Sequence, residues 1–208
     1  MIKAVIFDCF GVLTGEGLVP FRERHFGHDA ELLKTSKQLS WQMVLGKITF
    51  DEMLQKFAKT ADMAYEDVVK EIEVLSHTKN EELLAFIRTS LKPIYKIGVL
   101  SNIPENRFEM IFDEEDDALF DAKALSWQIG HAKPEPEAYH IAAEMLGVSP
   151  HEAIFIDDRH AYLKGAERVG MATIKYESFP QFNADLNQLI AGMDREIGLT
   201  FSRKSDTI

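Results

Sequence analysis

Five short apolar, β-rich runs punctuate this chain, and three of them end in polar clusters. Ala4–Phe7 leads into Asp8-Cys9-Phe10-Gly11, Tyr95–Leu100 into Ser101-Asn102, and Ala153–Ile156 into Asp157-Asp158. Ala122–Leu125 and Ala172–Lys175 complete the set. Short apolar runs bounded by turn residues read as buried strands. Four of them are separated by helical patterns, and that alternation predicts an α/β fold with a parallel sheet and crossover helices. The polar clusters then fall just beyond the C-terminal strand ends, where open α/β sheets bind ligands.

The helical patterns carry their own punctuation. Pro134 sits near the start of a stripe made by Ala138, Ile141, Ala142 and Met145, and Gly147 stops it. Ser149 and Glu152 have capping-box spacing, with room for about one turn before the next strand. Between the first and second strands, from about Gly15 to Lys79, no strand run occurs. Thr49 and Glu52 form another capping-box pattern ahead of Phe50, Met53, Leu54 and Phe57, and Tyr65, Val68, Val69 and Ile72 make a further stripe. This interval reads as an all-helical insertion over the strand ends, its stripes serving as packing faces. The expected division is residues 1–14 and 80–208 as core and 15–79 as a helical cap.

Charge limits the partners. The chain has 208 residues with 23 basic and 34 acidic side chains, a net −11. A field of that sign repels phosphate backbones and anionic lipid, so neither nucleic acid nor membrane is an expected partner. Seven acids fall between Glu109 and Asp121 with no base among them, which reads as a solvated loop or helix end. The single cysteine, Cys9, excludes an internal disulfide and paired-cysteine zinc sites, and it fits a reducing compartment. The N-terminal apolar run is too short for a signal-peptide core, and no stretch approaches the roughly 18 apolar residues of a membrane span. A cytoplasmic protein is the expectation. The end of the chain, about Arg195 to Ile208, lacks strong periodicity and is expected to be loosely held.

If the strand-end loops meet, Asp8, Asp157 and Asp158 bring three carboxylates together. Two carboxylates about 5 Å apart repel by roughly 3 kcal/mol at an effective dielectric of about 20. Three stay ionised only with a cation, and a hard divalent ion such as Mg²⁺ suits oxygen donors. Lys133, in Gly130-His131-Ala132-Lys133-Pro134, supplies one further positive charge. Three negative charges against two plus one then balance, and the site tolerates a bound anion. Such a site suits phosphoryl transfer, with a carboxylate as nucleophile and metal and lysine offsetting the transferred charge.

In this order the segments resemble those of the haloacid dehalogenase superfamily of hydrolases, which are mostly phosphatases. Val5-Ile6-Phe7-Asp8-Cys9-Phe10-Gly11-Val12-Leu13 resembles its first motif and Val99-Leu100-Ser101-Asn102 its second. Lys133-Pro134-Glu135-Pro136-Glu137-Ala138-Tyr139 resembles the third. Phe155-Ile156-Asp157-Asp158, with Gly165-Ala166 and Gly170-Met171, resembles the fourth, and Gly46-Lys47-Ile48-Thr49 resembles a recurring cap segment. The match covers about residues 2 to 176. It is nearest the subgroup with a small helical cap that holds epoxide-hydrolase N-terminal phosphatase domains and sugar-phosphate phosphatases.

The resemblance implies a Rossmann-like three-layer core and a small phosphorylated metabolite as substrate, the chain working as a monomer or homodimer. It implies Asp8 as nucleophile and metal ligand. Mg²⁺ would be held by Asp8, the Phe10 carbonyl, Asp158 and Asp157. Ser101 and Asn102, with Phe10 and Gly11, would hold the phosphoryl group, and Lys133 would steady Asp8. Two positions depart from the family pattern. Phe10 stands where most family phosphatases have a second, acid-base aspartate. Tyr162 stands where an asparagine is usual, with an expected effect on loop packing more than on chemistry. Phe10 keeps two other readings open: a 2-haloacid dehalogenase in which Asp8 attacks carbon, and a catalytically impaired binding or regulatory relative. Glu16, Arg22, Arg24 and His25 are the nearby candidates for a substitute acid-base, each expected as an ordinary surface residue.

Overall fold

The computed structural model describes the backbone through residue 205 and side chains through residue 192. The first strand, β1 (Ala4–Phe7), is followed by four helices: α1 (Leu18–Phe26), α2 (Ala30–Val44), α3 (Phe50–Ala61) and α4 (Tyr65–Ser76). The chain continues through α5 (Glu81–Phe86), β2 (Lys96–Ser101), α6 (Arg107–Ile111), α7 (Glu114–Asp117) and β3 (Ala122–Leu125). The remainder is α8 (Ser126–Ile129), α9 (Pro136–Met145), β4 (Ala153–Asp157), α10 (His160–Arg168), β5 (Ala172–Lys175) and α11 (Phe179–Ser205). Of the segment 195–208 expected to be loosely held, the backbone of 195–205 continues α11, and residues 206–208 lie outside the described residues.

All five strands pair in parallel in the order β3-β2-β1-β4-β5. β1 is therefore central, and the order reverses beside it. Because strand side chains alternate, each strand feeds two layers. Val5 and Phe7 join Val99, Ile154 and Ile156 in a core against α5 and α11, while Ala4 and Ile6 join Leu100 and Phe155 under α9 and α10. Central strands buried on both faces read as unbroken apolar runs, as these do. The second strand begins one residue later than its apolar run, and the second and fourth extend one residue further, to Ser101 and Asp157. Helix α9 starts at Pro136, so Pro134 belongs to the preceding turn.

Helices α1–α4 have a core of their own, in which Phe21, Phe26, Met53, Leu54, Phe57, Val68 and Ile72 are buried. The Phe21 and Phe57 rings stack with centroids 5.8 Å apart. The Thr49 capping box forms in full: Thr49 Oγ1 accepts from Glu52 N–H and Glu52 accepts from Thr49 N–H. The two segments leading into and out of these helices run side by side. Thr14 bridges Lys79, Gly15 N–H donates to Thr78 O (2.9 Å), and Asn80 N–H donates to Leu13 O (2.9 Å). Gly15 is required there, because a Cβ would lie 2.1 Å from Leu75 O.

The acidic run is more tightly tied down than a solvated loop. Asp113 caps α7 and pairs with Lys79, and Asp116 is buried between Lys79 and Arg88. Asp117 pairs with Lys123, and Asp121 with Lys92 and the Ile97 N–H. Lys79, Arg88 and Lys92 come from earlier segments and Lys123 from just past the run, which is why inspection of the run alone shows none.

Candidate active site

β1 and β4 are neighbours in register Phe7↔Ile156, so the next residues, Asp8 and Asp157, stand side by side at the C-terminal edge of the sheet. Asp8 N–H donates to Ile156 O at 2.8 Å, which carries the pairing one residue beyond β1. Asp158 follows, and one carboxylate oxygen from each of Asp8, Asp157 and Asp158 lies within 4.8 Å of the others. Lys133, fully buried, places Nζ 2.7 Å from Asp8 Oδ1 and 2.7 Å from Asp157 Oδ2. Asp8 Oδ1 also accepts the Cys9 N–H (2.7 Å), and Asp157 Oδ1 accepts the Arg159 N–H (2.8 Å).

The charges respond to burial and to each other. Burial, then Asp8, pushes the Asp157 and Asp158 carboxyls upward; Lys133 opposes this at Asp157, and Arg159 opposes it at Asp158. Burial works against the Lys133 ammonium, but Asp157 and Asp8 outweigh it and hold its pKa above the ordinary value. One lysine does not neutralise three carboxylates. Asp158 Oδ1 is buried and takes no hydrogen bond. Arg159 Nε approaches it only to 3.9 Å, and a buried carboxylate oxygen without a hydrogen bond is costly unless a cation meets it closely. Three converging carboxylate oxygens fit a hard divalent cation such as Mg²⁺. Gly11, at φ +84°, lies against this group, since a Cβ there would come within 2.9 Å of the Asp158 carboxylate.

The other residues singled out in the sequence fall around this centre. Ser101 ends β2, and its Oγ is buried with no partner. Asn102 is committed to the Lys133 backbone: Oδ1 accepts the Lys133 N–H (2.8 Å) and Nδ2 donates to the Lys133 carbonyl (2.9 Å). Cys9 lies in the apolar core, where burial above all pushes its thiol pKa well up. Phe10 lines a cavity of about 330 Å³ between the strand ends and helices α1–α4. Phe50 and Ile72, from stripes expected only to pack, line it as well.

Several expectations about surface residues are corrected. Arg24 and His25 do pair on the outside with Glu71. Arg22, however, is only 9% exposed and lines the cavity. The signal was present in the sequence: Leu18, Arg22 and Phe26 recur at intervals of four along α1, which puts an arginine in an apolar stripe. Glu16 also lines the cavity and is bound by Arg159. Tyr162 does more than pack a loop. Its ring lies 4.9 Å from Lys133 Nζ and 5.6 Å from the Arg159 guanidinium carbon, a cation–π arrangement that covers the buried lysine. Arg107, which no motif marked, is buried, lines the cavity, and sits 4.8 Å over the Phe50 ring.

A parallel α/β sheet with carboxylates and a buried lysine at its reversal point defines a Rossmann-like protein with an acidic, cation-accepting centre. The family model of the haloacid dehalogenase-like hydrolases matches residues 2–170, and the chain belongs to that family. Among solved structures, it resembles a predicted hydrolase of this family from Porphyromonas gingivalis, with a TM-score of 0.71 and 23% identity over 91% of this chain and 98% of that one. A family enzyme from Bacteroides thetaiotaomicron, determined with magnesium and inorganic phosphate, aligns with a TM-score of 0.64 and 23% identity over 86% of this chain and 96% of that one. Among curated proteins, the pyrophosphatase PpaX of Bacillus cereus is 25% identical over 56% of this chain. The mouse acyl-CoA dehydrogenase family member 10 is 24% identical over 97% of it. The match spans 58% of the pyrophosphatase and 20% of the mouse protein. Among the described residues, no helix is long and apolar enough to cross a membrane.

Proposed function

We propose that the protein is a Mg²⁺-dependent phosphomonoester hydrolase that acts on a small phosphorylated metabolite through transfer of the phosphoryl group to Asp8. The observation that carries this reading is the carboxylate trio held by a single buried lysine, with Asp158 Oδ1 buried and without a hydrogen bond beside Asp8 and Asp157. The names of two relatives agree with it: a pyrophosphatase, and an enzyme determined with magnesium and inorganic phosphate.

Asp8, Asp157, Asp158 and the Phe10 carbonyl would hold the metal. When bound, it would draw charge from the phosphoryl oxygens. Lys133 and the Cys9 N–H fix Asp8 Oδ1, which leaves Oδ2 to attack phosphorus as the ester oxygen departs. Water then cleaves the aspartyl-phosphate and restores the carboxylate. The free Ser101 hydroxyl donates to a phosphoryl oxygen. Asn102 holds Lys133 in place through its backbone, and Gly11 lets the chain pass close to Asp158. Residues 15–79 act as a cap that closes over the cavity, on a core of 1–14 and 80–208. Phe10 supplies no proton, so a leaving group must either depart unprotonated or take its proton from elsewhere.

The test is a panel of phosphate esters and short 2-haloacids, with and without Mg²⁺, on wild type and Asp8→Asn. Phosphate release that needs Mg²⁺ and disappears in Asp8→Asn is expected. Halide release that survives chelation, or phosphate release retained by Asp8→Asn, overturns the proposal.

A further inference from the structure

The cavity beside Phe10 runs against the charge of the chain. Four bases line it, Arg22, Lys37, Arg107 and Arg159, against a single acid, Glu16. Arg159 is matched by Glu16, and Lys37 is exposed with Glu23 at 4.0 Å. Arg107 reaches Glu73 at 3.4 Å. Arg22 stands apart from these three. Its Nη1 donates to the neutral Ser40 Oγ at 2.8 Å, and its Nε is buried with no partner. Among the described residues, no carboxylate lies within ion-pair distance of it. A guanidinium is always charged, and burying one without a counter-charge is costly. Burial first, and then the nearby Arg159, disfavour its charged form. Much of the surrounding wall is apolar, with Leu18, Met43, Val44, Phe50 and Ile72. A polyhydroxylated body laid against those five side chains would lose water there without gaining partners.

We infer that Arg22, backed by Ser40, is an anion subsite, and that the substrate is a phosphate ester whose body is largely apolar and carries a second oxyanion. The phosphoryl end faces Asp8, the apolar body crosses the cavity, and a carboxylate or second phosphoryl group meets the Arg22 fork. The assignment rests on the phosphatase reading, which fixes where the first phosphoryl group goes. It narrows that reading, because a simple sugar phosphate meets neither requirement.

The experiment measures binding, so it does not depend on turnover. Calorimetric titration of the Mg²⁺-loaded wild type compares alkylphosphonates with ω-carboxyalkylphosphonates and alkylene bisphosphonates of matched and increasing length. At the length that spans the cavity, a second anion is expected to tighten binding by about ten- to a hundredfold, the range for a hydrogen bond to a charged group. The carboxylate and bisphosphonate arms tell the two anions apart. Arg22→Gln is expected to erase the preference and Arg22→Lys to keep part of it. Phosphonates that bind with no preference at any length overturn the subsite and leave the phosphatase reading standing. So does a preference that survives in Arg22→Gln. A failure of every phosphonate and of inorganic phosphate to bind overturns both.

Discussion

At the scale of single residues, the centre divides into groups that are tied down and groups that are left free. Lys133 is held by Asp8 and Asp157, and Asp157 by Lys133 and the Arg159 N–H, whereas Ser101 Oγ and Asp158 Oδ1 are buried without a hydrogen bond. Unsatisfied buried atoms of this kind are rare in folded proteins, and they gather where something else binds. Phe10 is the residue that most limits the proposed chemistry, since a phenyl ring cannot exchange a proton. Loss of a general acid-base typically costs about 10²- to 10⁴-fold. Phe10→Asp is therefore expected to raise kcat on alkyl phosphates more than on aryl phosphates with good leaving groups. A variant that binds Mg²⁺ normally and gains nothing on either class would show that proton supply is not the bottleneck. Asp8 and Asp157 were legible in the sequence because each follows an apolar strand run directly. The commitment of Asn102 to the Lys133 backbone was not, because it joins two loops whose meeting is settled only by the sheet order.

At the scale of elements, short-range signals are legible in the sequence and long-range ones are not. All five strands and the Thr49 capping box follow from residues within one turn or one run of each other. The burial of Asp116 and the pairing of Asp113 and Asp121 depend on Lys79, Arg88 and Lys92, whose approach no local pattern encodes. The end of α4 shows a further effect of this kind. His77 caps the helix with its N–H on Glu73 O, and its buried Nε2 has no partner. Burial first, and then Arg107, hold its pKa below the ordinary value of 6.5. Between that lowered value and 6.5 the unfolded chain binds more protons than the folded one, so this residue makes stability fall as pH drops below 6.5 and adds nothing above it. Urea unfolding at about pH 5 and about pH 7.5 should show a smaller difference in His77→Gln than in wild type. An unchanged difference would refute the role given to His77.

For the molecule as a whole, the net charge of −11 understates how unevenly charge is placed. The cavity is lined by four bases and one acid, while three carboxylates crowd the sheet edge next to it. A cation that binds only the folded state adds about 2.7 kcal/mol at a hundred times its Kd. At about 2–4 °C per kcal/mol for a chain of this size, saturating Mg²⁺ should raise Tm by about 5–10 °C. Calorimetric scans with Mg²⁺ and after chelation test this, and in Asp158→Asn most of the increment should disappear. A rise of the same size in that variant would place the metal elsewhere. The strand order also bears on assembly. β1 precedes both of its neighbours in the chain: β2 is made only after the four helices, and β4 only after β3, α8 and α9 as well. Loop closure grows only slowly more costly with length, so the long wait is thermodynamically tolerable. During synthesis, however, Asp8 is exposed long before Asp157 and Asp158 exist beside it. A nascent or truncated chain lacking β4 therefore lacks the proposed cation site, and metal capture there would report that synthesis has passed Asp158.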